Sequence, residues 1–202
     1  MKGDKTVFIF CQTSANKNNT DNHSDNIDYC ISMIADGGAV AETAMSELYS
    51  LTCSSVYGFA LSILKNSYDA EDVLHDCYVL IYSAAESYHS VGKPMAWILT
   101  IVKNLALKKL REQRKSADLP PEEVETDMSI GNGLLMEDKQ IISACLEKLS
   151  DEERQIVVLH AVSGFKHREI SGFLKLPLST VLSKYNRALK KLRKIFEGEE
   201  TI

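Results

Sequence analysis

Residues 116–133 read SADLPPEEVETDMSIGNG, and no single helix or strand can run through them. Pro120 and Pro121 lack backbone donors, and Gly131 and Gly133 carry no Cβ to hold a regular conformation. Asp118, Glu122, Glu123, Glu125 and Asp127 add five negative charges with no basic residue among them. That is the composition of a linker. A chain of 202 residues cut in this way folds as two small units.

On both sides of the cut the apolar residues recur at helical spacing, with no strand alternation of useful length and no internal repeat. The pattern predicts helices at about 27–35, 42–65, 69–86 and 93–115, then at 137–148, 151–162, 167–174 and 178–196. Gly37-Gly38 ends the first, and Lys93-Pro94 opens the fourth. Ser150 with Glu153 forms a capping box ahead of the sixth. Residues 12–25 are polar and aperiodic, so 1–25 is read as a disordered extension. The expected fold is all-α: two small helical domains, 26–115 and 137–197, joined by a flexible acidic linker at 116–136.

Three classes are disfavoured by composition. A formal net charge of -5 argues against a uniformly basic nucleic-acid coat, though not against local patches. The five cysteines are odd in number and form no C-x-x-C pair, which suits reduced thiols better than disulfides or zinc. Val7 to Cys11 is too short for a signal-peptide core, and no apolar run is long enough for a membrane span. The expected location is cytoplasmic, with no membrane contact. The five histidines are scattered, no phosphate loop or nucleophile elbow is present, and neither a cofactor nor catalysis is expected. His160, in an apolar helical stretch, reads as a packing residue.

Residues 178–196 separate completely on a helical wheel. Leu178, Val181, Leu182, Tyr185, Ala188, Leu189, Leu192, Ile195 and Phe196 fall in one arc, and the polar and basic residues fill the other. A basic amphipathic helix alone is often only a solvated surface helix. Here a short helix opening at Arg168 precedes it, and Pro177 presets its start, as in a helix-turn-helix. The second helix of that motif enters the major groove, which would bring Ser179, Thr180, Ser183 and Lys184 to base edges, with Arg187 further along and Lys190 on phosphate. Lys175 occupies the turn position often given to Gly; a positive φ there would cost Lys about 1 kcal/mol.

A second basic surface lies upstream. In 93–115, Ile98, Ile101, Val102 and Leu105 form an apolar arc beside a stripe of Trp97, Asn104, Lys108, Arg111 and Lys115. An aromatic side chain heading a cationic stripe suits separated strands, where rings stack on bases and cations hold phosphates. Trp97 is equally readable as core. Further back, DAEDV at 69–73 crowds acids at a helix start, where the helix dipole favours them, but Asp76 lies beyond that turn.

Taken in order, DAEDV, then Trp97-Ile98 with Ile101 to Asn104, the acidic linker, Glu153-Arg154, Ser163-Gly164-Phe165, Glu169-Ile170, Ser179-Thr180 and Arg187-Ala188 resemble a group IV (extracytoplasmic-function type) sigma factor of the bacterial sigma-70 family. The likeness covers about 42–115 and 138–196, and the short linker leaves no room for the extra domain of larger members. It implies that 26–115 is region 2 and 137–197 region 4 of a promoter-specificity subunit without catalytic activity. Core RNA polymerase and promoter DNA are the implied partners, together with an anti-sigma factor. The resemblance implies that Asp72, Val73, His75, Asp76 and Tyr78 meet the beta-prime clamp helices, and region 4 the beta flap. His75 stands where the family usually has Gln. Trp97, Lys103 and Asn104, with Lys108 and Arg111 behind them, would meet the minus-ten element, where a base flips into a pocket for which Tyr88 and His89 offer walls. The helix-turn-helix, including Arg168, would bind the minus-thirty-five element. Two other classes stay open: a dimeric helix-turn-helix regulator with an N-terminal sensor, and an enzyme tethered by its C-terminal domain.

Overall fold

The computed structural model describes residues 19–116 and 148–196. The linker from 117 on, most of the helix expected at 137–148, Cys11 and Cys145 lie outside the described residues. Four helices form the N-terminal unit: α1 Asn19–Asp36, α2 Gly38–Leu64, α3 Ser67–Ala84 and α4 Pro94–Ser116, with a 3-10 turn Ala85–Ser87 after α3. Three form the C-terminal unit: α5 Asp151–Ala161, α6 His167–Leu174 and α7 Leu178–Phe196. The described residues contain no strand.

Helix α1 begins at Asn19, inside the stretch expected to be disordered. Its buried face, Ile27, Cys30, Ile31 and Ile34, starts only at Ile27. The turns before it are polar and carry no apolar period for a sequence reading to detect. Gly37 and Gly38 both hold positive φ (74° and 71°), and this turn separates α1 from α2. Asn66 caps α3, its side-chain oxygen accepting from the Tyr68 N–H at 2.9 Å and the Asp69 N–H at 3.3 Å.

Helix α2 is the axis of the molecule and packs against α1, α3, α4 and α5. Leu48, Val56 and Phe59 on α2, Val73, Cys77 and Ile81 on α3, and Ile98, Leu99 and Val102 on α4 close the core. The polar link between α2 and α3 inside it is satisfied: Thr52 Oγ1 donates to the Leu48 carbonyl and bonds the Tyr78 hydroxyl, each at 2.7 Å. Cys30, Cys53 and Cys77 are free thiols, and burial pushes Cys77 up to about 12, out of the reactive range.

The two units share this core. The ring of Phe59 meets that of Phe173 on α6 edge-on at 5.7 Å. Gly58 lets α5 approach closely, since a Cβ there would touch Val158 at 3.4 Å. At the rim, Ser55 Oγ donates to the Val162 carbonyl at 3.2 Å and Lys65 pairs with Asp151 at 2.8 Å. The expected capping box is present, with the Ser150 N–H donating to the Glu153 carboxylate at 3.0 Å and the Glu153 N–H to Ser150 Oγ at 3.4 Å.

Candidate nucleic-acid interface

The turn between α6 and α7 is locked by its own chain. Lys175 ends α6 in the left-handed region (φ 57°, ψ 41°), the conformation that taxes a residue with a Cβ. Ser171 Oγ then donates to the Leu176 carbonyl at 2.7 Å, while the Leu176 N–H donates to the Ser171 carbonyl at 3.1 Å. Pro177 follows, and its carbonyl accepts the first bond of α7 from Val181 at 3.1 Å. The angle of α7 is thus set by covalent and hydrogen-bond constraints before any packing.

On α7, Val181, Ala188 and Ile195 are buried, and Ser179, Ser183, Arg187 and Lys190 are exposed. Leu178, Leu182 and Leu189, of the same apolar arc, are about two-fifths exposed. The three-helix unit is too small to cover the whole apolar arc, so only its centre is buried. Thr180 is half-buried. Lys184 is also half-buried, and its ammonium pairs with Glu152 on α5 at 2.6 Å. Lys191 pairs with the buried Glu153 at 2.7 Å. Burial alone would raise the Glu153 carboxyl; bonds from Lys191 and the Ser150 backbone outweigh it and hold it below its usual value. Arg168 does not join this surface. It lines a cleft of about 1060 Å³ between the units, with Lys93 and Glu169.

At the N-terminal surface the structure brings Tyr88 and Trp97 together, ring centroids 4.6 Å apart and planes tilted by 48°. Trp97 is half-buried, so part of its ring stays accessible. The Tyr88 hydroxyl donates to Asp28 on α1, and burial together with that carboxylate pushes it well above the usual tyrosine range. Asn104, Lys108, Arg111 and His89 are exposed, and Lys108 lies 3.9 Å from Glu112 one turn on. Lys103, expected with Trp97 and Asn104 at the minus-ten element, is engaged elsewhere: its ammonium lies 5.4 Å over the Phe173 ring of the C-terminal unit.

On α3 two expected contact residues are corrected. Val73 (2% exposed) and Tyr78 (8%) face the core, because the helical period aligns them with Ala70, Leu74, Cys77 and Ile81. Tyr78 is further held by Thr52 and by the Tyr49 ring at 4.9 Å. Asp72, His75 and Asp76 are exposed, beside the exposed apolar Val79 and Tyr82. Those two were not singled out from the sequence, although their helical offset from His75 was the available signal. Asp72 is engaged by Lys109 of α4, which also meets Asp69 at 3.2 Å. Burial would lower Lys109, but the two carboxylates outweigh it and hold the ammonium above its usual value.

The family model for sigma-70 region 2 matches residues 48–116, and that for sigma-70 region 4 matches 139–192. The chain is 25% identical over 182 residues to the ECF RNA polymerase sigma factor SigK of Mycobacterium ulcerans, covering 87% of this chain and 96% of that one. It is 28% identical over 163 residues to SigK of Mycobacterium bovis (BCG), covering 75% and 85%. Among solved structures, CnrH in complex with the cytosolic domain of CnrY is similar at TM-score 0.56 and 21% identity, covering 87% of this chain and 99% of that one. The sigma factor RpoE of Bartonella quintana, solved with the anti-sigma factor NepR, is similar at TM-score 0.57 and 21% identity, covering 77% and 98%.

Proposed function

The chain belongs to the sigma-70 family as an RNA polymerase sigma factor of the extracytoplasmic-function type, and from that premise we propose that its two basic surfaces grip one promoter at two points. The carrying observation is that the N-terminal unit has a nucleic-acid surface of its own, the Trp97–Tyr88 pair heading Asn104, Lys108 and Arg111. A dimeric helix-turn-helix regulator has no use for such a surface.

Region 4 reads duplex. Ser179, Ser183 and Arg187 stand open at the start and middle of α7 for base edges, and Lys190 for phosphate. Lys184 reaches DNA only by giving up Glu152. Region 2 holds separated strands near the minus-ten element, with the accessible part of the Trp97 ring against a base. Core polymerase docks on Asp72, His75 and Asp76 of α3, with Val79 and Tyr82 adding apolar area, and region 4 meets the beta flap. Lys103 and Arg168 join the DNA-facing set only when the units part. The acting boundaries are those of the two matched regions, and the chemistry of transcription stays with the polymerase. No helix among the described residues is long and apolar enough to cross a membrane. An anti-sigma factor is the further partner, as NepR is for RpoE of Bartonella quintana.

The packed arrangement of the units does not fit two promoter elements at once. Elements centred about 25 base pairs apart lie roughly 85 Å apart at 3.4 Å per pair. Two units in van der Waals contact cannot cover that distance. The roughly 22 residues between the two matched regions reach about 75 Å when extended, which together with the breadth of the units themselves spans that distance. Region 4 therefore leaves α2 when the chain engages a promoter, and Phe59, Lys103 and Phe173 exchange their mutual contacts for others.

Purified chain added to core polymerase should produce initiation at a subset of a promoter library. Trp97→Ala should lower strand opening at least tenfold while changing duplex binding less than threefold, about 1.4 kcal/mol against well under 1. Equal loss in both assays would remove Trp97 from the opening step, and no promoter-specific initiation by wild type would sink the reading.

A further inference from the structure

Asp28 sits on α1, away from every motif that marks the family. Both of its carboxylate oxygens are nevertheless spent on the segment between α3 and α4. The Tyr88 hydroxyl donates to Oδ1, and the Ser90 hydroxyl donates to Oδ2 at 2.8 Å. Ser90 Oγ in turn accepts from the Gly92 N–H at 3.4 Å. The same segment is tied at both ends: the Tyr88 N–H bonds the Ala85 carbonyl at 3.1 Å, and the Lys93 carbonyl accepts from Ala96 and Trp97 at 3.1 and 3.3 Å. Gly92 turns with φ 71°, and Pro94 is buried as α4 begins.

A chain held at alternate residues presents the others outward. Tyr88 lies half-buried against Trp97, while His89 is exposed and Val91 is 80% exposed. A lone exposed valine is ordinary on a protein surface. This one stands on a pinned loop that leads directly into the helix of Trp97. An unstacked base needs an apolar surface for its face and a donor or acceptor for its edge. Val91 and His89 are those two groups, whereas the Tyr88 hydroxyl is already committed to Asp28.

We propose that Asp28 is the positioning residue of a base-reading loop, tying Tyr88 and Ser90 to α1 so that His89 and Val91 meet one unstacked base of the promoter. The proposal rests on the two-point reading above and assigns the specificity of its N-terminal point. Tyr88 becomes scaffold here, and the expected pocket walls shift to His89 and Val91.

The test uses holoenzyme reconstituted with core polymerase and four fork-junction DNAs that differ at a single minus-ten base, repeated for each position. Wild type should favour one base at one position. Asp28→Ala should cut that preference about tenfold, the lower end of what one good base contact contributes. Asp28→Asn keeps an acceptor for Tyr88 and turns its amide N–H toward Ser90 Oγ, so it should restore the preference to within about threefold. Tyr88→Phe keeps the ring on Trp97, removes only the hydroxyl, and should reproduce part of the loss. Val91→Ser should change which base is preferred. Binding to minus-thirty-five duplex should be unchanged in all four variants. Wild-type preference retained by Asp28→Ala at every position would overturn the proposal. So would an equal loss on all four DNAs, the mark of a damaged fold and not of a misplaced loop. Wild-type holoenzyme that opens no promoter would instead fail the two-point reading itself.

Discussion

On α7, Ser179, Ser183, Arg187 and Lys190 share one side of a single helix, whereas Asp28, Tyr88 and Trp97 come together from three elements of the N-terminal unit. The first surface needs only a helix and a turn to aim it. The second needs a folded domain, because the Asp28–Tyr88 contact joins residues 60 apart in sequence. A surface of the first kind survives loosening of the core, and one of the second kind does not. Phe59 tests this most severely, since it is fully buried in the N-terminal unit and also touches Phe173. Phe59→Ala should cost about 3–5 kcal/mol in chemical denaturation. Phe173→Ala, at a half-buried ring, should cost about 1–2 kcal/mol. If the units share one core, either variant shifts a single transition. Two separable transitions, with only the mutated unit affected, would mean that they fold independently.

A milder contrast compares two lysines in the same backbone state. Lys65 ends α2 at φ 61° and Lys175 ends α6 at φ 57°. Glycine removes the Cβ strain at either site, so Lys175→Gly should raise stability by about 1 kcal/mol. Lys65→Gly should gain less, because it also removes the exposed pair with Asp151 across the units, worth about 0–1 kcal/mol. Equal gains would show that the Lys65–Asp151 pair adds nothing to the packing of the units.

What could be read from the sequence divides along the same line. The seven described helices, the capping box at Ser150 and the left-handed turn at Lys175 all depend on neighbours within a few residues, and periodicity and turn chemistry carry that information. The helical period puts Val181, Ala188 and Ile195 in one apolar arc with Leu178, Leu182 and Leu189, but it cannot say how wide a stripe a small unit covers, and only the first three are buried. Val73 and Tyr78 were misplaced for a related reason: a family motif names positions without saying which side of the helix each occupies. Asp28, Glu152 and the Lys103–Phe173 contact left no local signal, since each is defined by a partner distant in sequence.

Region 4 itself contains both open and committed cations. Lys190 is exposed, and Lys184 is tied to Glu152. In binding to minus-thirty-five duplex across a salt series, Lys190→Ala should reduce the slope of log K against log salt by about 0.9, the loss of one phosphate contact. Between 50 and 200 mM salt that amounts to roughly a threefold difference. Lys184→Ala should change the slope less, and Glu152→Gln, by freeing Lys184, should increase it. A slope that falls equally for both lysines would mean that the Glu152 pair breaks on binding.

The smallest effect expected separates the units by pH. Among the described histidines, His23, His75 and His89 are exposed, but His160 and His167 stack at 4.3 Å inside region 4, each edge-on to Tyr185 at 4.8 Å. His160 Nδ1 is bonded to the Phe165 carbonyl at 2.7 Å, whereas His167 Nε2 is buried without a partner. Burial first, and the neighbouring His160 second, hold His167 below its usual value. The unfolded chain therefore binds a proton at His167 that the folded unit resists. Its contribution to stability is complete above the unfolded value near 6.5 and declines as pH falls below it. Glu153 and Asp151 are shifted downward as carboxylates, so their contribution is complete above about 4.5 and is lost only in stronger acid. Lowering the pH from about 7.5 to 5.5 should thus weaken hydrogen-exchange protection in α6 and α7 while leaving α1 and α3 unchanged, and His167→Phe should abolish the difference. Equal weakening in both units would place the sensitive group in their shared core instead.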